Sequence, residues 1–236
     1  MWPPRRFAPN KPSARGRRLA DSSVAELLMN MQARPPNPAG GFVLAGGASR
    51  RMGQDKALLE IKGEPLFLRA ANLLKIYVSP VMLLGAPDQY ARYGFPILQD
   101  RWPGRGPLAA LLTGLERSVC EWNIFLACDL PFLPREFIEL LLRRVQKSDF
   151  DAVVPQTNCR WQPLCAAYRQ TCVPKITEAL EKGRSGVIDV LPELRVDVIT
   201  GEQVAASGLS DEIFENVNTP EDWQNVLFRI QARSSK

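Results

Sequence analysis

Short apolar runs alternate with stretches of helical period along most of this 236-residue chain, and that alternation restricts the fold more than any other feature. The runs at 42–45, 81–84, 97–99, 124–127 and 152–154 have the length and continuity of strands buried on both faces. Between them, 65–76, 87–93, 107–119 and 134–146 read as helices. Pro65 suits a first turn, Leu108, Leu111, Leu112 and Leu115 share one face of the third, and Phe137, Leu140, Leu141 and Val145 share one face of the fourth. Farther on, 164–168, 196–199 and 214–217 read as strands, and 172–182 and 221–230 as helices. The pattern predicts an α/β fold, a doubly wound, mostly parallel but mixed sheet with helices on both faces. A hydrophobic content of 45% suffices for its core, and no apolar run is long enough to span a bilayer.

Leu44 to Lys56, reading LAGGASRRMGQDK, follows the first predicted strand directly. Gly46 and Gly47 allow the backbone to approach a ligand closely, so that successive N–H groups converge on an anion, and Arg50, Arg51 and Lys56 add full positive charges nearby. This is the composition of a phosphate-binding turn. A P-loop would end in Gly-Lys-Ser/Thr, whereas Gly53 precedes Gln54 and Asp55; Gly46, Gly47 and Gly53 also miss the dinucleotide Gly-x-Gly-x-x-Gly spacing. In open α/β sheets ligands sit beyond the carboxyl ends of the strands. Leu44–Gly47, Asp100 and Asp129 follow the first, third and fourth predicted strands, so three distant loops should meet over one crevice.

Asp129 lies just past a buried strand, ahead of Leu130-Pro131-Phe132. A carboxylate there suits Mg²⁺, which accepts one or two carboxylates together with phosphate oxygens and water. An aspartate capping the following helix is the competing explanation. Asp100, before Arg101, is either a ligand acceptor or an ordinary turn residue. Asn216 and Asn218 flank Val217 and would share one face if extended; alternatively they lead into a helix with Thr219 as N-cap and Pro220 at its first position.

The loop resembles that of nucleotidyltransferases that move a nucleoside monophosphate onto a phosphorylated acceptor, and within them the molybdenum cofactor guanylyltransferase family. Four further blocks resemble that family in order: Lys62-Gly63-Glu64-Pro65-Leu66 with Arg69, Gly106-Pro107-Leu108-Ala109 with Gly114-Leu115, Ala127-Cys128-Asp129-Leu130-Pro131-Phe132, and Asn216-Val217-Asn218-Thr219-Pro220-Glu221-Asp222. The resemblance covers about residues 41 to 225. It implies GTP binding by Leu44, Ala45, Gly46, Gly47, Lys56, Asp100 and Asp129, catalytic roles for Lys56, Arg51 and Asp129, Mg²⁺ on Asp129, and molybdopterin contacts at Asn216 and Asn218. The implied reaction is transfer of GMP from GTP to the terminal phosphate of molybdopterin, with release of pyrophosphate. The chain departs from the family pattern at Leu84-Gly85-Ala86, where an asparagine is frequent, and at Arg160-Trp161-Gln162-Pro163, where some members carry histidine-proline. Another nucleotidyltransferase, with cytidylyl transfer or a different small acceptor, and a non-catalytic nucleotide-binding regulator are the alternatives.

The net charge of +5 is concentrated in residues 1–40, where seven basic residues face two acidic ones. The remainder balances 23 of each, so the charge is no argument for nucleic acid as a partner of the domain. Residues 1–40, rich in proline and arginine, read as a disordered tail with a possible short helix at 20–32, and 41–232 as a single domain. A start codon placed upstream of Met29 or Met31 would give the tail the same composition. Without histidine, Ser-His-Asp and Cys-His catalysis are excluded; phosphoryl transfer from an already anionic acceptor needs no general base. Five cysteines without a Cys-x-x-Cys pair suggest reduced thiols in a cytoplasmic protein, and Cys128 reads as a buried small residue. The expected partners are GTP, molybdopterin and, transiently, proteins that deliver or receive the cofactor, with neither nucleic acid nor membrane involved.

Overall fold

The computed structural model describes residues 39–45 and 55–234. Gly46, Gly47, Arg50, Arg51 and the helix expected at 20–32 lie outside the described residues. The predicted strands form β1 (Ala39–Leu44), β4 (Val81–Leu84), β5 (Ile97–Leu98), β6 (Trp122–Ala127), β7 (Ala152–Thr157), β9 (Cys165–Arg169) and β10 (Val196–Thr200). Several short elements are not predicted from the sequence, among them the paired strands β2 (Glu60–Ile61) and β3 (Glu64–Pro65), the two-residue β8 (Arg160–Trp161), the helix Gly201–Ala206 and a 3-10 turn at Ile188–Glu193. The helices are α1 (Leu66–Lys75), α2 (Pro87–Tyr90), α3 (Pro107–Arg117), α4 (Arg135–Val145), α5 (Val173–Glu181), α6 (Gly201–Ala206) and α7 (Pro220–Ser234). β1 begins at Ala39, two residues inside the segment read as tail, because Ala39 and Gly40 pair with Trp122 and Asn123.

The main sheet runs β10-β7-β9-β6-β1-β4-β5, with β8 hairpinned onto β7. All neighbours are parallel except at β9, which opposes β6 and β7, and at β8. The chain winds outward from β1 through β4 to β5, then crosses back to place β6 on the other side of β1. Strand order therefore reverses between β1 and β6, the position at which the carboxyl ends of an open sheet part to form a ligand crevice.

Pleating sends alternate residues of these buried strands to opposite layers. Val43, Leu83, Ile124 and Leu126 join Phe67 and Leu74 of α1 and Phe137 and Leu141 of α4 in one core. On the other face Phe42 and Phe125 stack with centroids 4.9 Å apart, and α3 comes so close that a Cβ on Gly114 would stand 2.7 Å from the Phe125 ring. Full burial of each such phenylalanine contributes about 1.5–3 kcal/mol, so this tight approach is strongly favoured.

Two departures from expectation have local causes. The stretch at 87–93 breaks into α2 and a 3-10 turn at Ala91–Tyr93, which Gly94 ends with a left-handed φ of 75°. The strand expected at 214–217 does not form. Asp211–Phe214 is a 3-10 turn instead, and 215–218 crosses the carboxyl edge of the sheet with Val217 N–H donating to the Asp129 carbonyl at 3.0 Å. Phe214 packs edge-on to Phe137 at 5.0 Å, and Val217 is fully buried against Leu59, Leu66 and Val226.

Candidate active site

Four segments converge where β1 and β6 end. Leu44 closes β1, and its carbonyl accepts from Cys128 N–H at 3.3 Å; Ala45 N–H donates to the Leu84 carbonyl at 2.9 Å. Leu44 and Ala45 thus fix the floor between β4 and β6. One residue past Cys128 stands Asp129, 6% exposed. From the other direction, Asp55 caps a 3-10 turn at Lys56–Leu58, its Oδ1 accepting from Ala57 N–H at 3.0 Å. That turn carries the Lys56 ammonium to Asp129 Oδ2, with which it forms an ion pair, and to Asn218 Oδ1 at 3.4 Å. Lys56, Asp129 and Asn218 therefore form one cluster, assembled from positions 73 and 162 residues apart from the lysine.

Asn218 is placed by the start of α7. Asp222 Oδ2 accepts from the N–H groups of Asn218 and Thr219, both at 2.9 Å, while Asp222 N–H donates to Thr219 Oγ1 at 3.1 Å. This reciprocal arrangement is a capping box in which aspartate replaces the usual glutamate. The two backbone donors hold the Asp222 carboxyl below the ordinary aspartate range. The helix lead-in and the site role of this segment are compatible: Thr219 caps, and Asn218 faces Lys56.

Beside the cluster opens a groove of about 890 Å³ whose lining includes Arg160, Trp161, Asn216, Asn218, Asn225 and Arg229. Its far wall is the β7–β8 hairpin, turned by Asn158 and Cys159 at left-handed φ values of 47° and 58°. Asn158 Nδ2 latches that turn to Asp211 Oδ2 at 2.5 Å. Asn216 is exposed in this groove, and Arg229, paired with Glu212 and Glu215, lies over the Phe132 ring at 4.2 Å. The loop Arg160–Gln162 and Arg229 were left without a role by sequence reasoning. The departure of Arg160-Trp161-Gln162-Pro163 from the family pattern was the available signal.

Asp100 sits after β5, on the same carboxyl edge but two strands beyond β1. Its Oδ1 accepts from Trp102 N–H at 2.9 Å and lies 3.2 Å from Thr113 Oγ1, so it ties its own turn to α3. The structure brings it to the lining of a different groove, on the α3 side, rather than into the Lys56–Asp129 cluster. At the start of α3, Gly106 has φ 78°, and a Cβ there would stand 2.8 Å from the Ser185 carbonyl oxygen, which itself accepts from Leu108 N–H at 3.1 Å. Glycine at 106 is thus required twice, by its backbone angle and by that contact.

Cys128 is buried in the layer below, where burial, then the neighbouring Asp129, push its thiol well above the ordinary cysteine range. It is a packing residue. Asp129 Oδ1 is buried with no hydrogen-bond partner among the described residues. The Asp129 carboxylate, with this unused lone pair, and the Asn218 amide oxygen, which meets the same Lys56 ammonium, are hard oxygen donors, and they fit Mg²⁺. Among the described residues no group of three or more histidine, cysteine, aspartate or glutamate side chains forms a protein cage for a metal, so phosphate oxygens and water would complete the shell.

A reversed-order α/β sheet with a lysine, a carboxylate and an amide meeting at its switch point defines a nucleotidyltransferase-type protein. The family model of the MobA-like NTP transferase domain matches residues 41–197, and the chain belongs to that family. Two curated relatives, each named probable molybdenum cofactor guanylyltransferase, agree with it. One, from Carboxydothermus hydrogenoformans, is 35% identical over 78% of this chain and 93% of its own. The other, from Pelotomaculum thermopropionicum, is 35% identical over 84% of this chain and 95% of its own. Among solved structures, molybdopterin-guanine dinucleotide biosynthesis protein A from Archaeoglobus fulgidus superposes with a TM-score of 0.69 at 24% identity, over 82% of this chain and 99% of that one, and supports the fold.

Proposed function

We propose that this protein transfers GMP from GTP to the terminal phosphate of molybdopterin, giving the guanine dinucleotide form of the cofactor and pyrophosphate. The observation that carries the reading is the Lys56–Asp129–Asn218 cluster at the sheet's switch point, with the polar groove opening from it. The names of the curated relatives support the choice of base and acceptor.

The acceptor phosphate is already anionic near neutral pH, so the protein's task is to align two anions and offset their repulsion. Lys56 would stabilise the charge that accumulates on the leaving pyrophosphate, together with Arg51 and the backbone of Gly46 and Gly47. Asp129 and Asn218 would hold Mg²⁺. When bound, the ion supplies charge neutralisation at the triphosphate. Leu44 and Ala45 set the floor, Asp100 would meet the guanosine portion, and Asn216 and Asn218 would face the acceptor in the groove. A cytoplasmic setting, with transient docking of cofactor-handling proteins, fits five cysteines that form no disulfide.

Incubation with molybdopterin, Mg²⁺ and either GTP or CTP, followed by product analysis, tests the reading. It predicts guanine dinucleotide and pyrophosphate from GTP. Turnover of CTP in preference to GTP, or none with either, would overturn it.

A further inference from the structure

Tyr90, the last residue of α2, is fully buried, and its ring packs against Phe67 with centroids 4.9 Å apart. Its hydroxyl lies 2.5 Å from the Ala45 carbonyl oxygen and 2.6 Å from Asp55 Oδ2. Ala45 follows β1 directly, and Asp55 caps the turn that carries Lys56. One hydroxyl therefore ties the end of the first strand to the residue just before the lysine. The other oxygen of the same carboxylate accepts from Ala57 N–H at 3.0 Å, so Asp55 is fixed at both oxygens and cannot rotate without releasing one bond.

The hydroxyl has one hydrogen and faces two acceptors. Removing it would leave a carbonyl oxygen with a partial negative charge and an anionic carboxylate turned toward each other without a donor between them, and they would separate or admit water. Burial, reinforced by the adjacent Asp55, raises the tyrosine hydroxyl well above its ordinary range, so it remains a donor at any physiological pH.

We propose that Tyr90 is a positioning residue: by clamping Asp55 to the end of β1 it sets the Lys56 ammonium at Asp129 and thereby at the triphosphate. The inference rests on the reading that Lys56 contacts the nucleotide. It gives a buried tyrosine in a helix remote in sequence a part in GTP binding that it performs without touching GTP.

Calorimetric affinity for Mg·GTP, measured without acceptor, separates this inference from the transfer reaction. Y90F should weaken binding about tenfold, the equivalent of one lost buried hydrogen bond. In a K56A background the same change should add less than about twofold, since Tyr90 acts through the lysine. D55A, which keeps Tyr90, should reproduce the Y90F loss and carries the test if Y90F fails to fold. D55N should rescue, because an amide N–H can donate to the tyrosine oxygen while the hydroxyl donates to Ala45. Full multiplication of the Y90F and K56A losses, unchanged affinity in Y90F and D55A, or failure of D55N to rescue would overturn the proposal. A wild type that binds Mg·GTP with this coupling but transfers nothing to molybdopterin would leave the inference standing and reject the transfer reading. A wild type that does not bind Mg·GTP would overturn both.

Discussion

Lys56 and Asp129 lie 73 residues apart in the chain and meet as an ion pair at the point where the sheet reverses its winding. The pairing follows from two independent local structures, a 3-10 turn capped by Asp55 and a loop leaving β6 one residue past its last strand bond. In the proposed reaction the lysine would turn to a phosphate oxygen and the carboxylate to a metal ion, and the pair would hold both charges in place between turnovers.

Lys56→Gln preserves length and a hydrogen-bond donor but removes the charge. It should lower kcat/KM for GTP by about 10²–10³-fold, as loss of a preorganised electrostatic group does at phosphoryl-transfer sites. Steady-state kinetics at saturating acceptor checks this. The melting temperature should fall as well, because the Asp129 side chain is only 9% exposed and loses its charged partner, which leaves a buried carboxylate uncompensated.

Arg160 and Trp161 line the same groove as Asn216 and Asn218. A flat pterin bearing a phosphate matches an aromatic plane next to a guanidinium. Arg160→Ala and Trp161→Ala should each raise KM for the acceptor about tenfold, the equivalent of one charge-assisted hydrogen bond or one stacking contact. KM for GTP should stay within about twofold, the spread expected for a contact that the nucleotide does not make. Varying one substrate at a time separates the two effects.

Asp151, buried at the start of β7, accepts from Arg195 N–H at 3.0 Å and from Arg195 Nη2 and Lys175 Nζ, both at 3.3 Å. Burial alone would raise its pKa, but the Arg195 and Lys175 contacts outweigh it and the net shift is downward. A folded-state pKa below the unfolded value adds stability that is fully present above about pH 4 and is lost as pH falls through the folded value. Asp151→Asn should therefore cost about 1–3 kcal/mol at pH 7, and the difference from wild type should shrink below pH 4. Urea unfolding at pH 7 and pH 3 measures both.

Much of the sheet was legible because its strands are continuous apolar runs and its helices carry one apolar face. β2, β3 and β8 were not, since two-residue strands show no period; the turns at Lys62–Gly63 and Asn158–Cys159 depend on left-handed backbone angles at residues other than the usual Asn-Gly pair. The segment 214–217 read as a strand from its apolar ends. Phe214 and Val217 are three residues apart, a spacing that cannot put both on one face of a strand, and the structure buries them through a 3-10 turn and a crossing segment. Asp129 was legible as a carboxylate following a buried strand. The contribution of Tyr90 was not, because its partners are 35 and 45 residues away and nothing in a four-residue helix announces them.

Asp129 is proposed to support metal-assisted transfer through a carboxylate oxygen to which no described residue donates a hydrogen bond. The most direct test is GMP transfer by wild type and Asp129→Asn across a Mg²⁺ titration, with circular dichroism confirming equal folding. The account predicts Mg²⁺-dependent turnover in the wild type and a loss of at least about 10³-fold in the variant that added Mg²⁺ does not restore. Near-normal turnover by a folded Asp129→Asn protein would contradict it.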